Sequence, residues 1–320
     1  MYSLKDLLLE FRFYNKTRGL ADKSVKKLDS HCTAAFNYFY AEYSSTDLHD
    51  LRVLHFRAFL LSLIDSGKSE TYVNSFIRSF RAFYVFCENE GYTVEAENLA
   101  VKLKWFKEKQ VIIETFTDDE IKRMITVAGN RNHVKSKSLF QKYQAEKDKF
   151  TIMLLADCGM RANELCNIKL EDFSEDRIFI SKGKNKKERL VYTSPIIAKQ
   201  YYRYIRIRAA YFESVDTLPE EYLIVNKNGG KMSVSGLERL VKRISKQAEV
   251  RDCVRGCVHD FRHYAAQKML ETTGNIYIVQ MVLGHSRTTT TENYLQSMSK
   301  DVLLREMQHN NPLANLNKQK

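Results

Sequence analysis

Residues 154–165 read LLADCGMRANEL, an apolar helical segment followed by a glycine turn and the start of a second helix. Gly159 stands where helices commonly end, and Arg161 opens the next helical segment. Glu164 follows three residues later and therefore lies on the same helical face as Arg161. This stretch predicts a helix boundary that presents Arg161, with Glu164 orienting the arginine rather than binding a metal.

Three segments downstream carry cationic or nucleophilic side chains: GKNKKERLV at 183–191, HDFRH at 259–263, and LGH at 283–285 with TTENY at 290–294. His259 and Arg262 are one helical turn apart, so their side chains lie next to each other. Asp260, like Glu164, is expected to orient an arginine or a histidine. The four segments together predict a site rich in guanidinium and imidazole groups, which suits a phosphodiester substrate.

These segments resemble the tyrosine recombinases of the phage integrase family. That family has, in order, an arginine before x-x-E-L, a hairpin lysine, an H-x-x-R pair, an L-G-H element and a tyrosine soon after. All five elements occur here in that order, and the resemblance covers roughly residues 1–300. It implies a mainly α fold, with an N-terminal helical core-binding domain and a C-terminal mixed α catalytic domain that contains a small antiparallel β-sheet.

The resemblance implies that the enzyme cuts and rejoins DNA through a covalent 3′-phosphotyrosine. Tyr294 would be the nucleophile, and it needs neighbouring cations or a base because a phenol ordinarily titrates near pH ~10. His259 would help to remove the phenol proton, and Lys184 would protonate the leaving 5′-oxygen. Because the energy of the broken bond is kept in the tyrosyl phosphate, neither a metal nor another cofactor is expected.

The same resemblance implies that Arg161 and Arg262 hold the non-bridging oxygens of the phosphate, which gain negative charge during the reaction. Planar guanidinium groups pair well with such oxygens. His285 would donate a hydrogen bond to the same phosphate. Each of these side chains alone has an ordinary structural interpretation, such as a solvated ion pair or a helix cap, and only their joint occurrence predicts catalysis.

Lys184 is assigned by aligning residues 183–189 without a gap on the family pattern G-K-x-x-K-E-R. The neighbouring lysines of the same basic turn are alternatives for the acid, and we expect them to contact DNA. These neighbours are Lys182, Lys186 and Lys187.

The first part of the chain has the pattern of a helical domain. Apolar residues recur at helical spacing over 3–16, 23–43, 54–63 and 69–90, and a short fifth helix is expected near 99–106. Arg78 and Arg81 share one face of the fourth helix. They are candidate DNA contacts, although two solvated arginines on an amphipathic helix would give the same pattern.

The sequence predicts a core-binding domain over 1–106, a linker over 107–116 and a catalytic domain with a C-terminal tail over 117–320. Thr117 and Glu120 form a capping-box pattern at the start of this third part. Residues 129–149 are polar and basic, which suggests an exposed loop or a helix extension. Strands are expected at 178–180 and 189–192, joined by the basic turn, and at 222–225 before an Asn-Gly-Gly turn.

The chain has 51 Lys and Arg against 39 Asp and Glu, a net charge of +12. This excess suits double-stranded DNA, although an acidic membrane surface would also fit. No apolar run is long enough to span a membrane. The six scattered cysteines indicate a reducing compartment, so a cytoplasmic location is expected. Cys253, Cys257 and His259 could suggest a metal site, but a fourth ligand is not evident and we expect no metal.

Two alternatives share part of this pattern. A type IB topoisomerase uses a similar clamp and tyrosine, and a non-catalytic DNA-binding regulator would be expected to lack at least one of the five elements. The family resemblance implies a monomer or dimer before DNA binding and a homo-tetramer on two duplexes. Residues 299–307 can form a short helix with an apolar stripe, which would dock on a neighbouring subunit or, alternatively, on its own domain.

Overall fold

The computed structural model describes residues 2–108, 114–130, 138–180 and 188–284. Contacts within the chain divide it into two compact units, Met1–Val111 and Ile112–Lys320. The described residues contain eleven α-helices and one two-stranded antiparallel sheet. The mainly α class with a small sheet, expected from the sequence, is confirmed.

Four helices form the N-terminal unit, as the apolar spacing predicted: α1 (Leu4–Thr17), α2 (Asp22–Tyr43), α3 (Val53–Asp65) and α4 (Glu70–Asn89). The side chain of Ser69 caps α4 by accepting a hydrogen bond from the Tyr72 amide. The buried face of α4 carries a row of aromatic rings that pack edge-on and tilted against α1, α2 and α3. This aromatic core holds the four helices together.

The expected fifth helix is only a single 3-10 turn, Leu99–Lys102. The chain beyond this turn is extended, and Asn74 of α4 explains why. Its side-chain amide donates to the Phe106 carbonyl and accepts from the Phe106 amide, both at 2.9 Å. These two bonds satisfy the backbone groups that a longer helix would have paired internally.

The C-terminal unit contains α5 (Asp118–Gly129), α6 (Leu139–Cys158), α7 (Ala162–Asn167), α8 (Pro195–Ser214), α9 (Val234–Gln247), α10 (Val258–Thr273) and α11 (Ile276–Leu283). Strands β1 (Arg177–Ile180) and β2 (Arg189–Tyr192) pair antiparallel, with Ile178 opposite Val191. The capping box of Thr117 and Glu120 is present at the start of α5. Helix α6 lies in the centre of this unit and packs against α5, α8 and α10.

Of the polar segment predicted over 129–149, residues 131–137 lie outside the described residues. Residues 138–149 form the cap and the first half of α6, so the helix-extension alternative is right there. Four of the polar side chains in this half are buried, and they pair with each other and with neighbouring helices; they are Gln144, Glu146, Lys147 and Asp148. Asp148 accepts from Arg243 of α9 at 2.8 Å, and Glu146 accepts from Gln200 of α8 at 2.7 Å. Composition alone predicted exposure, but paired polar groups can be buried at acceptable cost.

The strand expected at 222–225 is reduced to isolated bridges at its two ends, Lys169 with Tyr222 and Val225 with Lys231. The intervening side chains are buried as a strand pattern predicts, but no continuous ladder forms. The predicted turn is present and includes Gly229 with φ of 83°. In the described parts of the chain, no helix is long and apolar enough to cross a membrane.

Candidate active site

Arg161 lies at the junction between α6 and α7, where the chain reverses after Gly159. Gly159 has a left-handed backbone and ends α6, and Arg161 is the N-cap of α7. The buried carboxylate of Glu164 holds Arg161 twice: it accepts the Arg161 backbone amide at 2.9 Å and Arg161 Nη1 at 2.7 Å. The Arg161 side chain is 30% exposed, so Glu164 orients a guanidinium that still faces solvent.

Glu164 remains ionised inside the protein. Burial raises its pKa, but the charge of Arg189 and the hydrogen bonds from Arg161 and Arg189 outweigh that effect, so the net pKa lies below its usual value. An ionised carboxylate can hold two guanidiniums at once through its two oxygens. This is the orienting role that the sequence predicted for Glu164.

His259 and Arg262 lie on the first turns of α10, whose start is fixed by Asp260. The fully buried Asp260 carboxylate accepts the Cys257 amide at 3.1 Å, which caps the helix, and pairs with Arg255 at 2.5 Å. Asp260 therefore orients the beginning of the helix together with Arg255. The sequence predicted that Asp260 would orient an arginine or a histidine, and the arginine that it binds is Arg255.

Arg262 is buried, with 2% of its surface exposed, and it connects three helices. From α10 it donates to the carbonyl of Gly159 at the end of α6, at 2.8 Å, and to the carbonyl of Leu283 at the end of α11, at 2.5 Å. The close approach of α6 and α10 depends on Gly159, because a Cβ there would lie 2.9 Å from the Cβ of Ala265. The two predicted arginines therefore belong to one packed region.

The last turn of α11 completes this region. Its C-terminal carbonyls accept hydrogen bonds from arginines of three other elements, and Arg161 donates to Gly284 at 3.1 Å. Cations are favourable there because a helix C-terminus carries partial negative charge. Gly284 ends α11 with φ of 64° and immediately precedes His285. The structure thus brings Arg161, Arg262 and the beginning of the L-G-H element together.

Arg189 is a site residue that reasoning from the sequence missed. It stands in β2, and its Nη2 donates to the second oxygen of Glu164 at 2.7 Å, while its Nη1 donates to the carbonyl of Val282. Its side chain packs where a Cβ on Gly284 would lie, at 3.0 Å from the Arg189 Cδ. The available signal was its position as the last residue of the G-K-x-x-K-E-R pattern.

The imidazole of His259 is favoured in its neutral form. Partial desolvation, together with the charges of Arg255, Arg262 and Arg161, lowers its pKa below the usual value, although Asp260 opposes this shift. The ring packs edge-on against His263, with 4.5 Å between ring centroids. A neutral imidazole can accept a proton, which is the chemistry expected of His259.

The other predicted catalytic residues, Lys184, His285 and Tyr294, lie outside the described residues, as do Lys182, Lys186 and Lys187. Arg78 and Arg81 belong to the N-terminal unit. Arg78 is exposed, with its guanidinium 5.5 Å from the ring centroid of Trp105. Arg81 lies 4.5 Å from the same ring and donates to the Leu103 carbonyl, so it also anchors the segment after α4.

The metal alternative built on Cys253, Cys257 and His259 gains no support from the described residues. Cys257 donates its thiol to Asp260 at 3.3 Å, and Cys253 is exposed. Across residues 2–108, 114–130, 138–180 and 188–284, no group of three His, Cys, Asp or Glu side chains is arranged to hold a metal ion. All six cysteines are free thiols.

A comparison with protein families matches residues 114–300 to the phage integrase family. The chain is 29% identical over 300 residues to tyrosine recombinase XerA of Pyrococcus horikoshii, covering 92% of this chain and 90% of that protein. It is 28% identical over 321 residues to tyrosine recombinase XerC of Caldanaerobacter subterraneus, covering 97% of this chain and 80% of that protein.

Solved structures share the fold. XerH site-specific recombinase bound to its palindromic difH substrate, in a post-cleavage complex, aligns with a TM-score of 0.69 at 17% identity, covering 92% of this chain and 82% of that one. A λ integrase dimer bound to a COC′ core site aligns with a TM-score of 0.70 at 16% identity, covering 93% and 78%. The matched range, 114–300, includes the predicted catalytic residues; these are Arg161, Lys184, His259, Arg262, His285 and Tyr294. The chain therefore belongs to the phage integrase family, the tyrosine recombinases, which are enzymes that cleave and rejoin DNA.

Proposed function

We propose that this protein is a site-specific recombinase that cleaves and rejoins DNA through a 3′-phosphotyrosine formed by Tyr294. The observation that supports this most is the convergence of Arg161 and Arg262 on the turn that leads into His285, with His259 on the same helix as Arg262 and near enough to both arginines for their charges to lower its pKa. Arg161 stands at the start of α7, His259 and Arg262 stand on α10, and the turn ends α11, so the site joins three elements that are separated in sequence. Such a cationic cluster, held in place before substrate arrives, is what stabilisation of a phosphoryl transition state requires.

In the proposed first step, the Tyr294 phenol oxygen attacks the phosphorus and the bond from phosphorus to the 5′-oxygen breaks. His259 accepts the phenol proton, and Lys184 donates a proton to the departing 5′-oxygen, which leaves as a hydroxyl. Rejoining reverses these transfers, with the 5′-hydroxyl of another strand attacking the phosphotyrosine. Each bond broken is replaced by one of similar energy, so the steps need neither ATP nor a cofactor.

Arg161 is suited to bind a non-bridging phosphate oxygen. A guanidinium carries five N–H donors, and Arg161 uses two of its terminal nitrogens on Glu164 and Gly284 while remaining partly exposed. Arg262 would contribute positive charge from its buried position and keep the Gly159 and Leu283 carbonyls fixed. His285 would donate to the same phosphate. One such preorganised donor is typically worth about 3 kcal/mol in the transition state.

The test of the nucleophile uses Tyr294→Phe, which keeps the ring and removes only the attacking oxygen. A nicked suicide substrate releases a short fragment after cleavage and traps the protein on DNA. We expect wild type to migrate as a covalent adduct on a denaturing gel, whereas Tyr294→Phe binds DNA equally well but forms no adduct. An adduct with the Phe variant would show that another residue is the nucleophile.

A second measurement distinguishes a recombinase from a topoisomerase with a similar clamp. Two linear duplexes, each with one target site and of different lengths, are incubated with the protein. A recombinase produces two new duplexes of exchanged lengths, and we expect this result. Relaxation of supercoiled plasmid without any exchanged product would assign the chain to the topoisomerase reaction instead.

We propose double-stranded recombination sites as the substrate and a homo-tetramer on two duplexes as the active assembly, formed from a monomer or dimer. Support comes from the relatives: λ integrase has been solved as a dimer on a core site and as a tetramer on a Holliday junction. The net charge of +12 favours such a polyanion. Candidate DNA contacts are Arg78, Arg81, Lys182, Lys186 and Lys187.

We further propose that residues 1–106 act as the core-binding domain and 117–320 as the catalytic domain, joined by 107–116. A cytoplasmic location follows from the same proposal, because the substrate is DNA and the six cysteines are free thiols.

A further inference from the structure

Three successive carbonyls at the end of α11 each accept a hydrogen bond from a different arginine. Arg189 donates to Val282, Arg262 to Leu283 at 2.5 Å, and Arg161 to Gly284 at 3.1 Å. Arg161 is the proposed phosphate ligand and Arg262 contributes positive charge to the site, whereas Arg189 has no role in the proposed reaction steps. The question is therefore what Arg189 does for the site.

Arg189 connects Glu164 to the last turn of α11, the same two parts of the site that Arg161 connects through the other Glu164 oxygen and the Gly284 carbonyl. One of its terminal nitrogens binds Glu164 Oε2 at 2.7 Å, on the carboxylate whose other oxygen binds Arg161. Its other terminal nitrogen binds the Val282 carbonyl, in the turn that leads to His285. The side chain is only 13% exposed, so it is placed to hold these groups and not to bind DNA.

We propose that Arg189 is a positioning residue for strand cleavage, which fixes Glu164 and the last turn of α11 in one arrangement before DNA binds. Through Glu164 it sets the direction of the Arg161 guanidinium, and through Val282 it sets the start of the chain that carries His285 and Tyr294. Reacting groups that are misplaced by as little as an ångström lose much of their effect. The inference rests on the proposed function and adds a residue to it.

The charge of Arg189 has a second consequence for Glu164. Among the influences that lower the pKa of this buried carboxyl, the charge of Arg189 is the largest. Without that charge the Glu164 pKa rises, and Glu164 becomes protonated at a higher pH than in wild type. A neutral carboxyl binds Arg161 more weakly than a carboxylate does. Loss of Arg189 therefore shifts the acid side of the cleavage profile towards higher pH.

The experiment compares Arg189→Gln and Arg189→Lys with Arg177→Gln. Arg177 lies on the paired strand β1 and binds Asp176 at the exposed surface at 2.9 Å, so it is a matched control for removing an arginine from the hairpin. Binding to one site is measured by gel shift, and cleavage of the suicide substrate is measured in a single turnover from pH 5.5 to 8.5. Thermal unfolding reports whether each variant is folded.

We expect Arg189→Gln to bind DNA as wild type does but to cleave about 10–100-fold more slowly, the range seen when a residue that orients a functional group is removed. The pH below which its cleavage rate falls should be higher than in wild type. Arg189→Lys keeps the charge but cannot reach both acceptors, so its rate should be intermediate and that pH unchanged. Arg177→Gln should cleave at the wild-type rate. Equal cleavage by Arg189→Gln and Arg177→Gln would overturn the proposal.

A readout without cleavage separates this inference from the proposed function. Hydrogen exchange of the α11 amides is measured on free protein, and Arg189→Gln should exchange about 10-fold faster there than wild type or Arg177→Gln, because the turn loses one of its anchors. Unchanged exchange in α11 would refute the connection made by Arg189. If exchange changes as expected but wild type forms no adduct, the proposed function fails while the structural link stands.

Discussion

Glu164 is the residue on which the electrostatics of the site depend. It is almost fully buried, and an isolated buried carboxylate would be neutralised or would destabilise the fold by several kcal/mol. Arg161 and Arg189 remove that penalty by pairing with one oxygen each. The cost of burying the charge is therefore offset by the two groups that it orients, so the site and the local fold depend on the same contacts.

The first prediction at this scale concerns the acid that protonates the leaving group. On ordinary DNA we expect Lys184→Ala to cleave far more slowly than Lys182→Ala, because the 5′-oxygen needs a proton as it departs. A 5′-bridging phosphorothiolate has a sulfur that leaves without a proton. This substrate should restore cleavage by Lys184→Ala and hardly change Lys182→Ala. Selective rescue of Lys182→Ala would move the role to that lysine.

The second prediction concerns His263 and the pH dependence of stability. Burial, with the nearby charges of His259 and Arg255, lowers the pKa of His263 to about 4, against 6.5 for the free side chain. The unfolded chain therefore binds a proton that the folded one does not as the pH falls from 6.5 towards 4. Stability is full above this window and is lost through it, by about 2 kcal/mol at pH 5.

Urea unfolding of wild type and His263→Gln at pH 7.5 and pH 5 measures this loss. The glutamine variant is less stable at both pH values, because a buried ring is replaced, but its loss between them should be smaller by about 2 kcal/mol. The carboxylates titrate in both proteins, so the difference reports His263 together with its coupling to the adjacent His259. Parallel losses in the two proteins would show that His263 is protonated normally in the folded state.

At the scale of the elements, the ends of α6 and α11 meet the beginning of α10, and a glycine makes that contact possible. Gly159 has φ of 56°, and a Cβ there would lie 2.9 Å from Ala265 and 3.0 Å from the Cδ2 of Leu283. Arg262 then spans the gap by binding the Gly159 and Leu283 carbonyls. The spacing of the three helices and the position of Arg262 therefore depend on each other.

We predict that Gly159→Ala destabilises the protein by about 2–4 kcal/mol, the sum of a left-handed alanine and an overpacked contact. Gly274→Ala is the matched control, because Gly274 ends α10 with φ of 60° but a Cβ there meets nothing within 4 Å. It should cost only the backbone strain, about 1–2 kcal/mol. Urea midpoints measure both, and equal losses would mean that the packing at Gly159 adapts freely.

The elements differ in how well the sequence predicted them. Helices α1 to α4 and strands β1 and β2 were predicted because their apolar periodicity is set by a core on one side. For the polar half of α6 the sequence left an exposed loop and a helix extension open, since its ion pairs are made with α8 and α9, which no local pattern reveals. The segment after α4 was predicted to be helical, but it is not. The side chain of Asn74, 32 residues earlier in the sequence, makes hydrogen bonds to the Phe106 backbone that a helix would have made internally.

In the candidate site, too, the residues in local motifs were predicted and those that act through contacts between elements were not. Arg161, His259 and Arg262 could be named from the sequence because each stands in a short motif with fixed spacing. Arg189 and the carbonyls of α11 could not be named, because their role depends on a contact between β2 and a helix more than ninety residues away. Motifs identified the candidate chemical groups and Glu164 beside them, whereas the partners that reach the site from other elements are determined by tertiary packing.

For the whole molecule, the proposed assembly brings several copies of the chain together on two duplexes. The sequence after Tyr294 offers a means of assembly. Residues 299–307 read SKDVLLREM and lie outside the described residues; the sequence predicts a short helix with Val302, Leu303 and Met307 on one side. A helix of this length is marginal alone and needs a surface to cover its apolar stripe. We propose that this surface belongs to a neighbouring subunit.

We predict that truncation after Ser297, which retains Tyr294, leaves binding to a single site largely intact but abolishes synapsis and recombination. Docking of the tail between subunits would supply both the assembly contact and part of the positioning of each tyrosine, so both should be lost together. A gel shift on one site and a two-site synapsis assay measure the two properties side by side. A matched variant, Leu303→Asp in the full chain, places a charge in the middle of the apolar stripe without shortening the protein and should reproduce the defect. Normal recombination by either variant would contradict docking between subunits. Insolubility of both, through an uncovered apolar face, would show instead that the tail packs on its own domain.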